Sequence, residues 1–207
     1  MTQYQCKKLD NGNVRTCEVR LSFPNLFKAV SRDEDKVPKR SAAILFPRGA
    51  DIAVLKQAVA DCAKETWGDK IPKGLRLPFR DQGEKDFEGY EEGCVFFNAS
   101  STQRIPVVDR KLEPIVDEED VYPGIWAIVT LRAFPYGSKK GSTFSPGIGF
   151  GLQAVQIVKD GERLGGGRAD PNEEFETLPD LEEGESADAV FNGTGVEDPL
   201  AALGLDD

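Results

Sequence analysis

The stretch YPGIWAIVTLRAFPY, residues 122–136, decides the fold that this sequence predicts. Side chains alternate between the two faces of a β-strand, so the odd positions of this stretch form one apolar face suited to a core. That face consists of Ile125, Ala127, Val129, Leu131 and Ala133. The even positions combine aromatic rings with one cation and include Trp126, Arg132, Phe134 and Tyr136. Rings beside a cation on an exposed strand are typical of a platform on which unpaired bases stack, and burial of both faces is the alternative.

The residues after this strand predict a β-hairpin with a basic loop. The loop contains Lys139 and Lys140, and residues 147–159, GIGFGLQAVQIVK, are predicted as the antiparallel partner strand. Glycine recurs at every second position from Gly147 to Gly151. Because this pattern lies within a strand and not between a strand and a helix, it predicts close backbone approach rather than a dinucleotide site.

The other segments predict a mainly β fold. Strands are expected at residues 15–23, ending at Pro24, at residues 41–46 and at residues 94–101, where Phe96 lies on the opposite face from Phe97. One helix is expected at residues 51–67, with Asp51 as its N-cap and Gly68 at its end. We therefore predict a five-to-six-stranded antiparallel barrel with one inserted α-helix and long loops, rather than βαβ units.

A long charged segment, residues 69–93, is a second candidate for nucleic-acid contact because its basic and aromatic residues interleave. The predicted interface combines rings that stack on bases with cations that neutralise phosphates. The predicted stacking residues are Trp126, Phe134, Tyr136, Phe96 and Phe79, and the predicted cations are Arg132, Lys139, Lys140, Arg76 and Arg80.

Charge is distributed very unevenly along the 207 residues. The formal net charge is −10, but 13 of the 36 acidic residues and none of the 26 basic residues lie in residues 169–207. Residues 1–168 therefore carry a net charge near +3, which is compatible with a basic groove. We predict a folded domain at residues 1–168 and a disordered acidic tail at residues 169–207.

The tail ends in a short apolar run between acidic residues, which is typical of a docking peptide. The residues expected to contact a partner are Asp198, Leu200, Leu203, Leu205, Asp206 and Asp207. A tail that only solvates the protein is the alternative.

Composition argues against several classes of protein. The chain has no histidine, and its four cysteines form no C-x-x-C pair, so we expect no metal site, no cofactor and reduced thiols. No apolar run approaches about 18 residues and no leader is evident, so we expect a soluble cytoplasmic protein without membrane contact. The acidic runs that include Asp81 and Asp86 leave a carboxylate-based, magnesium-dependent nuclease as one alternative, although charge runs are usually solvated loops.

Several segments resemble bacteriophage single-stranded DNA-binding proteins, a family first catalogued as a domain of unknown function. The resemblance lies in residues 41–47 (SAAILFP), 77–85 (LPFRDQGEK), 121–136, 147–167 and the acidic terminus. It implies a non-enzymatic protein with an OB fold that binds single-stranded DNA independently of sequence. It also implies that the protein coats and protects this DNA during phage replication, recombination and repair in the cytoplasm of the infected bacterial host.

The resemblance further implies that the acidic tail recruits a phage or host polymerase, primase or helicase and competes with DNA. Tails of this kind often finish on an aromatic residue, whereas this chain ends Leu205-Asp206-Asp207, so the tail's partner is left open. Homo-oligomerisation is left open too. The main alternative is an interaction or assembly factor that uses the aromatic face as a protein interface.

Overall fold

The computed structural model describes residues 5–31, 37–137 and 145–165 of the chain. Within these ranges the elements are β1 (Lys7–Lys8), β2 (Val14–Arg15), β3 (Val19–Val30), β4 (Lys39–Leu45), α1 (Ala53–Trp67), β5 (Arg80–Asp81), β6 (Val95–Ser101), β7 (Val107–Val108), β8 (Trp126–Tyr136) and β9 (Gly147–Lys159). A 3₁₀ turn, Gln82–Glu84, follows β5. The predicted mainly β composition with one helix is confirmed. The predicted boundary at residue 168 and the acidic tail lie outside the described ranges.

Five strands close into a barrel. β3 pairs with β4, β4 with β6, β6 with β9, β9 with β8, and β8 again with β3. This five-stranded closure is the architecture of an OB fold, as predicted. One pair departs from the antiparallel prediction, because β6 and β9 run parallel. The helix is inserted between β4 and β6, the second and third barrel strands.

The central hairpin of β8 and β9 has the predicted strand parity. The two strands pair antiparallel along their whole length, from Trp126 opposite Lys159 to Tyr136 opposite Gly147. The odd positions Ala127, Val129 and Leu131 are fully buried, as the alternation predicts. Aromatic rings fill the barrel beside them, with the Phe97 and Phe150 centroids 4.6 Å apart.

The helix α1 packs on the barrel through one apolar stripe. Its buried residues, Leu55, Val59, Cys62 and Ala63, recur at the spacing of helical turns. Gly68 ends the helix with a φ of 57°, as predicted. The predicted N-cap is wrong by one residue: Ile52 occupies that position, and the Asp51 carboxylate accepts a hydrogen bond of 2.9 Å from the Ala53 amide. No helix among the described residues has the length and apolarity to cross a membrane.

The predicted first strand differs from the observed one. Residues 14–15 form the separate strand β2, and β3 continues through Pro24 to Val30. A bulge between Ser22 and Asn25 allows this, because a bulged residue makes no ladder hydrogen bond and can therefore be proline. The bulge turns Phe23, the last residue of the predicted strand, towards solvent with a φ of 49° and 53 % exposure.

A covering loop, residues 82–93, crosses part of the outer face of β4 and β6. Gln82 anchors it, because its buried side-chain amide donates hydrogen bonds of 2.9 Å to the carbonyls of Phe46 and Val95. The side-chain carbonyl oxygen of Gln82 in turn accepts a hydrogen bond from the Glu91 backbone amide at 3.0 Å. Beneath the loop, Tyr90 packs on a small cluster of buried residues, separate from the barrel core, that consists of Ala43, Leu45, Phe96 and Leu164.

The segment after β9, residues 160–165, forms a strap that returns to this cluster. The Tyr122 hydroxyl donates a hydrogen bond of 2.9 Å to Asp160, and the Leu164 amide donates one of 2.9 Å to the Pro123 carbonyl. The Arg20 guanidinium donates to the carbonyls of Gly124 and Glu162. These bonds carry the strap past β3 and bury the Leu164 side chain against β4 and β6.

The anchoring role of Gln82 can be tested by Gln82→Ala. The Phe46 carbonyl and the Glu91 amide lose a hydrogen-bond partner, so we expect the free energy of unfolding to fall by about 1 to 3 kcal/mol in urea denaturation. Gln103→Ala, an exposed glutamine, serves as the control and should change it by less than about 0.5 kcal/mol. Equal free energies of unfolding for the two variants would contradict the anchoring role of Gln82.

Candidate nucleic-acid interface

The outer face of the β8–β9 hairpin carries three large side chains, each opposite a glycine. Arg132 lies opposite Gly151, Phe134 opposite Gly149, and Tyr136 opposite Gly147. We call these six residues the platform. Arg132 is exposed, the Phe134 side chain is 39 % exposed and Tyr136 is half-buried. The platform therefore offers aromatic surface beside a cation, as the even positions of β8 predicted.

The glycines of β9 make room for the rings of β8. A Cβ atom on Gly149 would lie 3.2 Å from Cζ of Phe134, and one on Gly147 would overlap the Tyr136 ring. Both rings therefore cross the backbone of β9 directly. The close backbone approach that the glycine pattern predicted is therefore confirmed. The groups that approach the backbone of β9 are these two rings.

Arg76 joins the platform at its Tyr136 end. The Arg76 amide donates to the Pro146 carbonyl at 3.0 Å, and its carbonyl accepts from the Ile148 amide at 2.9 Å. This short parallel bridge pairs Arg76 with Gly147, so that its exposed side chain shares the face of Tyr136. Two of the predicted cations, Arg76 and Arg132, thus lie on the same face as the two rings.

Small polar side chains continue this face across the neighbouring strands. Ser41 on β4 pairs with Ser100 on β6, Ser100 pairs with Gly151, and Gly151 pairs with Arg132. Strands lie about 4.8 Å apart, so this line covers about 15 Å. The sequence analysis did not assign a role to Ser41 or Ser100, because only the pairing of distant strands places them beside the platform.

Two of the predicted stacking residues, Phe96 and Phe79, pack against other side chains of the protein. The expectation that Phe96 is exposed is wrong: it is 3 % exposed, because Tyr90 and Leu164 cover it. Phe79 is half-buried, and its ring packs edge-on against Phe97 and Phe150 with centroid distances of 5.9 Å. Arg80, by contrast, is exposed on β5.

Trp126 lies apart from the platform and is engaged by other cations. Arg132 follows it six positions later along β8, which corresponds to about 20 Å. The Lys159 ammonium lies 4.7 Å from the Trp126 ring centroid, and the Arg20 guanidinium lies 5.9 Å from it. The predicted ring beside a cation is therefore present at Trp126, but its cations come from β3 and β9.

A second exposed aromatic patch, not predicted, is formed by Phe23 of β3 together with Phe87 and Tyr90 of the covering loop. The ring centroids of Phe23 and Phe87 are 5.5 Å apart, and those of Phe87 and Tyr90 are 5.4 Å apart. Burial raises the pKa of the Tyr90 hydroxyl, which keeps it neutral. Asp86 and Glu88 flank Phe87 and would repel phosphates. The patch therefore suits DNA less well than the platform does.

Carboxylates of the alternative nuclease site have structural partners. The Asp81 carboxylate accepts hydrogen bonds from the amides of Gly83 at 2.7 Å and Gly93 at 3.1 Å, which closes the turn after β5. Within the described ranges, no group of three or more carboxylate or cysteine side chains is placed to hold a metal ion. Lys139, Lys140 and the six tail residues named above lie outside those ranges.

Comparison with solved structures places the fold among phage DNA-binding proteins. The single-stranded DNA-binding protein from bacteriophage Enc34, solved in complex with single-stranded DNA, matches 77 % of this chain and 93 % of its own, with a TM-score of 0.65 and 20 % identity. The single-stranded DNA-binding protein gp2.5 of bacteriophage T7 matches 82 % of this chain and 97 % of its own, with a TM-score of 0.55 and 16 % identity. The TM-scores show that this chain shares the fold of both proteins.

Sequence comparison extends the match. "Putative protein p50" of Acyrthosiphon pisum secondary endosymbiont phage 1 is 27 % identical over an alignment of 184 residues, and the match covers 83 % of this chain and 97 % of that protein. The model of a family described as "Enterobacter phage Enc34, ssDNA-binding protein" matches residues 12–190, most of the chain and including the platform. The resemblance stated from the sequence is therefore confirmed: the chain belongs to the Enc34 single-stranded DNA-binding protein family.

Proposed function

We propose that this chain is a non-enzymatic protein that binds single-stranded DNA without sequence preference through the platform. The observation that carries the proposal is the pairing of two rings with two arginines on one open strand face. Stacking on Phe134 and Tyr136 tolerates any base, because every base has a flat apolar face. Arg132 and Arg76 then neutralise the backbone phosphates.

The position of the platform supports this proposal. OB folds bind oligonucleotides on the face of their second and third strands and on the loops that join strands one to two and four to five. In this chain those elements are β4, β6 and residues 31–38 and 137–146. The platform borders the second of these loops, which contains Lys139 and Lys140. Their contact with phosphates remains a prediction.

We further propose that the protein coats and protects single-stranded DNA during replication, recombination and repair, in the cytoplasm of a phage-infected bacterium. The family membership supports the phage setting. The acidic tail would recruit a replication protein through Leu200, Leu203 and Leu205, while its carboxylates compete with DNA for the cations. The supporting observation is that a segment with 13 acidic and no basic residues accompanies a body near +3.

An interaction or assembly factor is the second candidate, and one observation favours it. Phe23 and Phe87 form an exposed aromatic pair, with side chains 53 % and 47 % exposed, beside the carboxylates of the covering loop. Aromatic residues are enriched at protein interfaces. A partner held there would not be displaced by an oligonucleotide bound to the platform, whereas a partner held on the platform would be.

Stacking on the platform is tested by Phe134→Ala. Loss of one stack, worth about 1 to 3 kcal/mol per base, should weaken binding of a labelled oligo-dT of about 16 nucleotides by about 5- to 150-fold in fluorescence anisotropy. Phe23→Ala is the matched control, since it removes an exposed ring outside the platform, from the patch formed by Phe23, Phe87 and Tyr90, and should leave the affinity within about twofold. A larger loss of affinity from Phe23→Ala would show that the DNA binds at that patch and not at the platform.

Phosphate contacts are tested by the salt dependence of the same binding. The slope of log affinity against log salt is about −0.7 per phosphate neutralised on single strands. Arg132→Ala and Arg76→Ala should each make this slope shallower by about that amount. Lys56→Ala, an exposed cation on α1, should not change it. Slopes that stay the same in both arginine variants would show that these side chains do not touch the backbone.

The competing role of the tail is tested in the full-length chain by replacing the 13 acidic residues of residues 169–207 with their amides. Removing the competing charge should tighten oligo-dT binding several-fold at low salt, and less at high salt because salt screens the tail. Replacement of Leu200, Leu203 and Leu205 by serine keeps the charge and should leave DNA affinity unchanged. Unchanged DNA affinity in the amide variant would remove competition from the proposal.

A further inference from the structure

A separate cleft lies where β3 approaches the segment that follows β6. Its volume is about 1050 Å³. Its floor is apolar and includes the buried side chains of Leu26, Ile105 and Val107. Phe27, which is half-buried, contributes the one aromatic ring among the residues that line the cleft. A floor of this kind suits a flat apolar group such as a nucleobase.

The cleft carries cations on one wall. Arg104 is exposed, and Nε of Arg40 donates a hydrogen bond of 3.2 Å to the Phe27 carbonyl, which holds the guanidinium beside the cleft. Among the described residues, no carboxylate lies within 4.0 Å of either guanidinium. Within the described part of the chain both guanidiniums thus lack a carboxylate partner, and a guanidinium of this kind suits an anion such as a phosphate.

The acidic residues of the cleft lie on the other wall and have partners. Glu118 pairs with Lys28 at 2.7 Å, and this contact raises the pKa of Lys28. The Asp117 carboxylate accepts a hydrogen bond of 2.9 Å from the Glu119 amide. The described residues that line the cleft therefore carry one net positive charge, from three cations (Lys28, Arg40, Arg104) against two carboxylates (Asp117, Glu118).

The cleft begins at the end of β4 that also carries the line of small polar residues from the platform. That line runs from Arg132 through Gly151 and Ser100 to Ser41. Arg40 immediately precedes Ser41, so its side chain points to the other face of β4, and it pairs with Ser101 at the end of β6. Arg104 follows Ser101 three residues later. A nucleic-acid strand that follows this line from the platform would therefore reach Arg40 by turning over the end of β4, where Arg40 is the second residue of the strand.

We propose that the cleft is a second single-stranded DNA subsite, which binds the nucleotides that extend beyond the platform. Arg40 and Arg104 hold the phosphates, and a base packs against Phe27 and the apolar floor. This inference rests on the proposed function and adds to it a defined path for the strand. The site is built by residues 26–28, Arg40, residues 104–108 and residues 114–118, all outside the β8–β9 hairpin, so it can be changed without altering the platform.

The experiment compares two oligonucleotide lengths at the ends of the range that an OB fold covers, about 4 and about 16 nucleotides of dT. Arg104→Ala should weaken binding of the longer oligonucleotide by about fivefold and make its salt slope shallower by about 0.7. Binding of the shorter one, which the platform holds, should stay within twofold. Arg110→Ala, an exposed arginine that does not line the cleft, is the control and should change neither.

A second pair of variants guards against a structural artefact. Val116→Glu places a negative charge at the rim of the cleft, where the side chain is 79 % exposed, and should repeat the length-dependent loss. Leu112→Glu adds the same charge at a position 69 % exposed and outside the cleft, and should not. Thermal unfolding of each variant checks that the fold is intact.

The outcomes separate this inference from the proposed function. Equal effects of Arg104→Ala and Arg110→Ala, or equal losses for both oligonucleotide lengths, would overturn the subsite while leaving the platform in place. Failure of the unmodified chain to bind either length would overturn the proposed function itself. A loss confined to the longer oligonucleotide in both Arg104→Ala and Val116→Glu supports the subsite.

Discussion

The antiparallel ladder between β8 and β9 is the constraint on which the rest of the structure depends. It closes the barrel, because β8 also pairs with β3 while β9 pairs with β6. It also fixes which side chains face outward, since a register change of one residue would exchange the two faces. The same ladder that buries Val129 and Leu131 therefore sets Phe134 and Tyr136 over the glycines of β9.

The outer face of the barrel is divided between a closed part and an open part. The covering loop and the strap close over Phe96 and Leu45, where side chains are large and apolar and burial is favourable. Ser41, Ser100 and Gly151 lie further along the same face, offer little apolar surface and remain only partly buried. The difference between large apolar side chains in one part and serine and glycine in the other thus explains why the first is covered and the second is available to a ligand.

The sequence predicted those features that depend on local periodicity and missed those that depend on distant contacts. Alternation in β8, the hairpin to β9 and the helical stripe of α1 each follow from residues close in sequence. Burial of Phe96 could not be predicted, because it results from Leu164, almost seventy residues away. The outward turn of Phe23 results from a bulge, and Trp126 gains its cations from β3 and β9.

The local origin of the hairpin has a consequence for the order of folding. β8 and β9 are joined by about ten residues, and hairpins of this kind form within about 1 to 10 μs. The contact of Arg20 with Trp126 that closes the barrel joins residues about 100 positions apart, and its loop-closure entropy opposes early formation. We therefore expect the platform to take shape in the nascent chain before the barrel around it is complete.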